Sequence, residues 1–220
     1  MFSRSHNANS PFGKPARGFS LVEMAVVLAI VALLLGGLLP TISGQFEQQR
    51  RNETRKYMDE VRDALLGYAI ANKHLPCPDT NGDGIAEATC ATVAQQVGTL
   101  PYKDLGVVDK DAYGSVLVYA VTKAFADSTT PFTLATAGTM VVCSSAATCP
   151  ATYLTNNAVA VIVSRGANWA TASSIDETEN TNGDTKFVSH DFVQNSFDDL
   201  VVWISPNILL NRMVAAGQLP

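Results

Sequence analysis

The densest group of metal-ligating residue types follows the first cysteine of the chain. Residues 77–87 read CPDTNGDGIAE, which matches the first half of an EF-hand calcium loop, where carboxylate and amide oxygens are the ligands. The second half departs from that pattern, because a bidentate glutamate is required where Cys90 stands. Calcium therefore competes with a simpler interpretation, an Asx and glycine turn within a disulfide loop. The candidate calcium ligands are Asp79, Asn81, Asp83 and Glu87.

A catalytic arrangement of side chains is not found in the sequence. There is no G-x-S-x-G, H-E-x-x-H or S-x-x-K motif and no phosphate-binding glycine loop. His190 and Asp191 could act as a base and its orienting acid, but adjacent residues on a strand point to opposite faces. Asp198 and Asp199 stand at the start of a predicted strand, where we interpret them as the end of a turn. We therefore predict that the protein is not an enzyme.

A long apolar segment lies near the N-terminus. Residues 24–39 read MAVVLAIVALLLGGLL, and the segment extends back to residue 19. As a helix, residues 19–39 would be about 31 Å long, close to the roughly 30 Å hydrocarbon core of a bilayer. A core helix of a soluble domain is the alternative, but such a helix is rarely apolar on all sides at this length. Residues 1–18 carry three basic side chains and no acid, so the positive-inside rule places the N-terminus in the cytoplasm.

The distinguishing residues stand at the front of this segment. Residues 18–23 read GFSLVE, a glycine, a large apolar residue and then an acid inside the apolar run. A carboxylate at the centre of a membrane costs about 2–3 kcal/mol and less near the edge, so Glu23 requires a partner. Cleavage after Gly18 would create one, the new α-amino group. A secretory signal fits less well, because the apolar core is long and no A-x-A cleavage site follows it.

GFSLVE followed by an apolar helix resembles the type IV prepilin signature of pilins and type II secretion pseudopilins, and the resemblance covers residues 13–75. It implies that a prepilin peptidase cuts after Gly18 and methylates Phe19. Glu23 matches the buried glutamate of the family, which pairs with the N-terminus of a neighbouring subunit during assembly. Pro40 matches a helix-kinking proline. The resemblance also implies a bacterial inner-membrane protein with a cytoplasmic N-terminus and a periplasmic head, which later enters a pilus or pseudopilus.

Four cysteines follow the apolar segment, and an oxidising periplasm favours disulfides between them. Four cysteines allow three pairings, of which proximity in sequence favours Cys77–Cys90 and Cys143–Cys149. A zinc site formed by His74 and the first pair is an alternative. It would lack a C-x-x-C pair and a clear fourth ligand.

Helical periodicity dominates up to residue 72, and short β-rich runs follow from residue 98. Apolar residues recur at i, i+3 and i+4 from Tyr57 onward, so we predict one nearly continuous helix over residues 19–72. A turn at residues 111–114, DAYG, resembles the D-x-W-G turn that opens the pseudopilin sheet. Ser205 is the predicted cap of a last helix. The predicted strands are 115–122, 139–143, 158–164 and 200–205, with weaker candidates at 132–135 and 186–189.

These elements predict an α+β, pilin-like fold in which a long N-terminal transmembrane helix packs on an antiparallel β-sheet head with a short C-terminal helix. The expected parts are a basic prepilin leader, a long N-terminal helix with its transmembrane portion at 19–39, and an exported globular head with disulfide-closed loops. Their bounds are 1–18, 19–73 and 74–220.

The composition fits a folded protein with an acidic exported part. The chain is 47% hydrophobic and 16% charged, and residues 76–220 carry 6 basic and 14 acidic side chains. Such a head argues against a direct nucleic-acid partner. We predict a minor pilin or pseudopilin of a type IV pilus or type II secretion filament, with other such subunits, prepilin peptidase and the inner membrane as partners. The alternative is a membrane-anchored periplasmic binding module that does not polymerise, with calcium as the one cofactor that the sequence suggests.

Overall fold

The computed structural model describes the backbone of residues 18–219 and the side chains of residues 18–35 and 44–219. The chain forms two compact units, one ending at Phe46 and one beginning at Glu47. The predicted leader lies outside the described residues except for Gly18. The side chains of residues 36–39 of the predicted span and of Pro40 also lie outside the description.

The first unit contains the beginning of helix α1 (Leu21–Asn72). Ser20 and Glu23 form a reciprocal cap, in which each side chain accepts a hydrogen bond from the backbone N–H of the other, at 3.1 Å and 2.9 Å. The described side chains of residues 21–35 are all exposed in the single chain. Among the residues that the structure describes, no helix combines the length and apolar character needed to cross a membrane.

The second unit contains the rest of α1, seven strands and four further helices within the described residues. Short 3-10 turns occur at Val93–Gln95 and Ala146–Thr148. In chain order the elements are β1 (Val97–Thr99), α2 (Tyr102–Leu105), β2 (Val118–Val121), α3 (Lys123–Ala126), β3 (Met140–Cys143), β4 (Tyr153–Ala158), β5 (Ala160–Ser164), α4 (Ile175–Glu179), β6 (Lys186–Val188), β7 (Leu200–Ile204) and α5 (Pro206–Ala215).

The strands form two sheets. The first has the order β1-β2-β5-β7 and is antiparallel throughout, as predicted for the head. The second has the order β4-β3-β6, with β3 antiparallel to β4 and parallel to β6. The α+β class and the antiparallel sheet are thus confirmed. The second, mixed sheet was not predicted.

Two of the predicted strands differ from the strands of the structure. The predicted strand over 158–164 is divided at Val159, because Ala158 ends β4 and Ala160 begins β5. The weak candidate at 132–135 is wrong, since no strand forms there. Phe132 is nevertheless buried, and its ring lies 4.9 Å from that of Phe125, so the apolar residue anchors a loop to the core.

Strand β5 separates two apolar layers. Its five residues are all buried, and neighbouring side chains on a strand point to opposite faces. Ile162 lies in the cluster that includes Val61 and Leu65 of α1. Val161 and Val163 lie in the cluster that includes Phe187 of the second sheet. The first sheet is therefore covered on both faces, by helices on one side and by the second sheet on the other.

The turn before β2 is organised by Asp111. Its Oδ1 accepts hydrogen bonds from the backbone N–H groups of Tyr113 and Ser115, at 2.9 Å and 3.0 Å, and its Oδ2 accepts one from the hydroxyl of Ser164. The Tyr113 hydroxyl donates to Oε1 of Glu47 at 2.6 Å, which connects the turn to α1. Burial and this hydrogen bond raise the pKa of Tyr113 well above its ordinary value, so the phenol remains a donor.

Both disulfides of the structure are local, Cys77–Cys90 and Cys143–Cys149, with sequence separations of 13 and 6. These are the pairs that proximity favoured. The chain-entropy model assigns about 3 kcal/mol to the longer loop and about 2 kcal/mol to the shorter one. We expect the Cys77→Ser/Cys90→Ser variant to lose about 3 kcal/mol of unfolding free energy and the Cys143→Ser/Cys149→Ser variant about 2 kcal/mol.

Urea unfolding of the full chain in detergent, followed by tryptophan fluorescence, measures both losses. Adding a reductant should lower the stability of the wild type and leave a variant without any cysteine unchanged. Equal midpoints for the oxidised and reduced wild type would show that the bridges contribute nothing.

Candidate functional site

The predicted processing site lies before the first helix. Gly18 and Phe19 precede α1, and the Phe19 side chain is 78% exposed. A Cβ placed on Gly18 would meet no atom within 4 Å. The peptide bond between these residues is therefore free of helical hydrogen bonding and is not covered by any other part of the described chain.

Glu23 stands in the first turn of α1 and uses one of its two oxygens. Oε2 accepts the hydrogen bond from the Ser20 backbone. Oε1 has no hydrogen-bond partner within the described residues. Sequence reasoning found Glu23 but not its cap, although S-x-x-E before an apolar run is a known signal for one. The helix thus begins with an acid that retains an acceptor for a further donor.

The predicted calcium loop is organised by Asp79, which is only 3% exposed. Its Oδ1 accepts from the backbone N–H groups of Asn81 and Gly82, at 3.0 Å and 2.7 Å, and its Oδ2 from that of Gly84 at 2.8 Å. Burial alone would raise the pKa of Asp79, but these bonds and one from Thr99 outweigh it and lower the pKa below the usual value. Asp79 is therefore ionised and already coordinated by protein donors.

The other candidate ligands also have partners within the chain. Asn81 Oδ1 and Asp83 Oδ1 each accept a backbone N–H two residues ahead, and Glu87 Oε1 accepts from Thr80 and Asn81. Gly84 has φ +80°, and a Cβ there would lie 2.4 Å from the Tyr102 ring, so this turn requires glycine. The oxygen donors suit calcium chemically, but Cys90 is bonded to Cys77 and supplies no bidentate ligand. The same bond removes both thiols from the alternative zinc site.

His190 does not pair with the carboxylate of Asp191. Its Nε2 lies 3.2 Å from Oδ2 of Asp176, its Nδ1 lies 2.8 Å from the backbone oxygen of Asp191, and its ring stacks on Phe197 at 3.8 Å. The imidazole thus fastens the segment after β6 to α4. The base and orienting acid considered from the sequence are not formed.

Three carboxylates that are distant in sequence meet at the start of β7. Oxygens of Glu177, Asp198 and Asp199 lie within 4.8 Å of one another, and the described residues contain no other acidic trio this close. Glu177 and Asp199 are 2% and 3% exposed. Asp198 and Asp199 do stand between a turn and the start of β7, as interpreted from the sequence, but they also belong to this cluster. No spacing in the sequence indicates this grouping, because Glu177 lies 21 positions before Asp198.

The three acids differ in electrostatic environment. Burial raises the pKa of Asp199 to about 7, against a hydrogen bond from Asn180 that lowers it. Burial also raises the pKa of Asp198. Glu177 is buried as well, but hydrogen bonds from Ser173 and the Asp198 backbone lower its pKa. Glu177 therefore carries the charge of the cluster, and Asp199 holds a proton well above the usual aspartate range.

Comparison with known proteins identifies the N-terminal segment. The family model described as the prokaryotic N-terminal methylation motif matches residues 13–39. This motif is the prepilin-type cleavage and methylation signal, and it implies processing by a prepilin peptidase and assembly with other pilin subunits. No curated protein and no solved structure has a significant match to the chain.

The loop at residues 79–87 provides a test of calcium dependence. We expect Asp79→Ala to lower the unfolding free energy by about 2–3 kcal/mol, because it leaves the buried N–H of Gly84 and two partly buried backbone N–H groups without an acceptor. The matched control, Asp83→Ala, removes an exposed carboxylate with one such bond and should change stability by about 0.5 kcal/mol or less. Urea unfolding with EDTA and with calcium chloride measures both effects. The wild-type midpoint should be the same in the two solutions, and a higher midpoint in calcium that Asp79→Ala abolishes would make the loop a calcium site.

Proposed function

We propose that this chain, which carries the prepilin-type methylation signal, is a minor pilin or pseudopilin, a structural subunit of a type IV pilus or type II secretion filament. A prepilin peptidase removes the leader after Gly18 and methylates Phe19. Residues 19–39 then anchor the chain in the bacterial inner membrane, with residues 74–220 in the periplasm. The filament forms through the N-terminal helices, and Pro40 takes the position of the family's helix-kinking proline.

The methylation motif at residues 13–39 is the observation that carries this proposal. It contains the glycine before the cut, the residue to be methylated and the acid of the first helical turn. The exposed Gly18–Phe19 bond supports the proposal, because a peptidase needs an extended and accessible substrate.

Glu23 supports assembly through the carboxylate oxygen that accepts no hydrogen bond within the described residues. A carboxylate in an apolar segment is costly unless it is paired. Its own helix supplies one hydrogen bond, to Oε2, and leaves Oε1 for an outside donor. The methylated α-amino group of a neighbouring subunit remains a cation and can supply a charge-assisted hydrogen bond to that oxygen. Such a pair would align one subunit against the next.

The exposed apolar side chains of α1 support the same conclusion. Leu21 and Leu33 are 86% and 78% exposed in the single chain. Burying a large aliphatic side chain stabilises by about 1.5–3 kcal/mol. Lipid before assembly and neighbouring helices after it would bury this surface. A non-polymerising binding module would need only the lipid. The two functions therefore differ in whether Glu23 must accept a hydrogen bond from a neighbouring subunit.

Processing is tested by intact-mass spectrometry of the protein from its native membrane, without and with reduction. We expect the mass of residues 19–220 plus one methyl group, and a gain of four hydrogens on reduction, because the structure has two disulfides. An uncut chain, or one cleaved after the apolar segment, would rule out the pilin assignment.

Assembly is tested with Glu23→Ala in the native host. We expect this variant to be cut after Gly18 and to be absent from sheared filaments, because the donor on the neighbouring subunit loses its acceptor. The matched control is Glu53→Ala, which removes an exposed helical glutamate that accepts, among the described side chains, a hydrogen bond from Gln49. It should enter filaments as the wild type does. Equal incorporation of Glu23→Ala would favour the non-polymerising binding module.

A further inference from the structure

The acidic cluster at the start of β7 connects several elements of the second unit. Glu177 of α4 accepts a hydrogen bond from the backbone N–H of Asp198 at 3.0 Å. Asn180 donates to Oδ2 of Asp199 at 2.8 Å and bonds to both backbone groups of Val188 in β6. From α1, Arg51 donates to the backbone oxygen of Asp198 at 3.2 Å. The segment between β5 and β7 is thus fastened to the core at the place where the three carboxylates meet.

The cluster has too few cations for three negative charges. Among the described residues, no ion pair joins Glu177, Asp198 or Asp199 to a basic side chain. Arg165 is close enough to favour the charged form of Asp199, but its Nε is buried without a partner. Oδ1 of Asp198 is buried without a partner as well. The cluster is therefore favourable only while at least one of its acids is neutral.

We propose that Asp199 is a proton-operated latch, which holds residues 165–199 against the core when it is protonated and loosens them when it ionises. Ionised Glu177 has its donors from Ser173 and Asn168 and keeps its charge. A second charge on Asp199 then repels it across a buried gap of less than 4.8 Å. The segment that would loosen presents exposed apolar side chains, among them Trp169 and Phe192. The latch thus controls how an apolar part of the head surface is displayed.

The direction of the pH effect follows from the raised pKa of Asp199 and the lowered pKa of Glu177. A buried acid with a raised pKa binds its proton more tightly in the closed state than in the open one. The closed state is therefore favoured most at a pH near the ordinary pKa of an aspartate. It loses this advantage as the pH rises to about 7, the pKa of Asp199 in the closed state, and loses no more above that pH. Glu177 acts in the opposite sense, because its pKa is lowered and its contribution disappears only in acid. The pH range in which Asp199 alone changes charge therefore lies above the range in which Glu177 titrates.

Other charged groups face Asp199 across an open cavity of about 390 Å³. Its charged or titratable lining comes from α1 and from the segment after β6. Besides Asp199, those residues are Arg51, Arg55, Asp59, His190 and Asp191. Arg51 and Arg55 oppose the ionisation penalty, and Asp59 and Asp191 add to it. Histidine side chains also change charge near neutral pH, so His190 requires its own control.

Hydrogen exchange of the full chain in detergent tests the latch, from about pH 5 to about pH 7.5, with correction for the intrinsic exchange rate. We expect the opening equilibrium of residues 165–199 to rise by up to about ten-fold per pH unit and to level off near pH 7. Asp199→Asn keeps the hydrogen-bonding shape without the charge, so its opening should not change with pH. Asp127→Asn, which changes a half-buried aspartate outside the cluster, should follow the wild type.

Three outcomes would overturn the proposal. A wild-type profile without pH dependence would do so directly, even if Asp199→Asn failed to fold. A dependence that His190→Gln removes and Asp199→Asn keeps would make the imidazole the switch. Protection restored by calcium near pH 7.5 in the wild type, but not in Asp199→Asn, would make the cluster a cation site instead.

Discussion

Strand β5 must bury both of its faces, and the architecture of the second unit follows from that constraint. A strand with the sequence AVIVS offers apolar side chains in both directions, so one neighbouring layer is not enough to remove it from water. The helices α1 and α5 cover one face of its sheet, and the second sheet covers the other. Within the second sheet, the chain just before β3 runs so close to β4 that a Cβ at Gly138 would lie 2.1 Å from a backbone oxygen of β4. The burial of β5 therefore fixes the order of the layers, with the helices, the first sheet and the second sheet in succession, and the loops connect them.

Features that depend on neighbours in sequence could be predicted, and those that depend on tertiary closure could not. The long helix, strands β2, β3 and β7, and both disulfide pairs arise from local periodicity or proximity. Strand β4, with the sequence YLTNNA, is mostly polar and exposed, so its pattern resembles that of a loop. The parallel pairing of β3 with β6 joins residues 45 positions apart, and no spacing in the sequence indicates it.

The two candidate sites show the same division. Glu23 was predictable because its chemistry lies within six consecutive residues, where an acid interrupts an apolar run. The trio at the start of β7 brings Glu177 to Asp198 and Asp199, 21 and 22 positions later, and tertiary hydrogen bonds from the Asp198 backbone and from Asn180 hold α4 at this place. The Asp79 loop lies between these cases. Its oxygen-rich pattern was visible, but backbone donors of the same loop occupy much of its acceptor capacity.

Both disulfides close short loops, one after α1 and one between β3 and β4. Neither joins α1 to a strand, and neither joins the two sheets. A pulling force that enters the second unit along α1 would therefore reach the strands through side-chain packing and hydrogen bonds such as those of Tyr113 and Arg51. Covalent reinforcement would limit how far two loops can extend, while the force at which the layers separate would depend on noncovalent contacts alone.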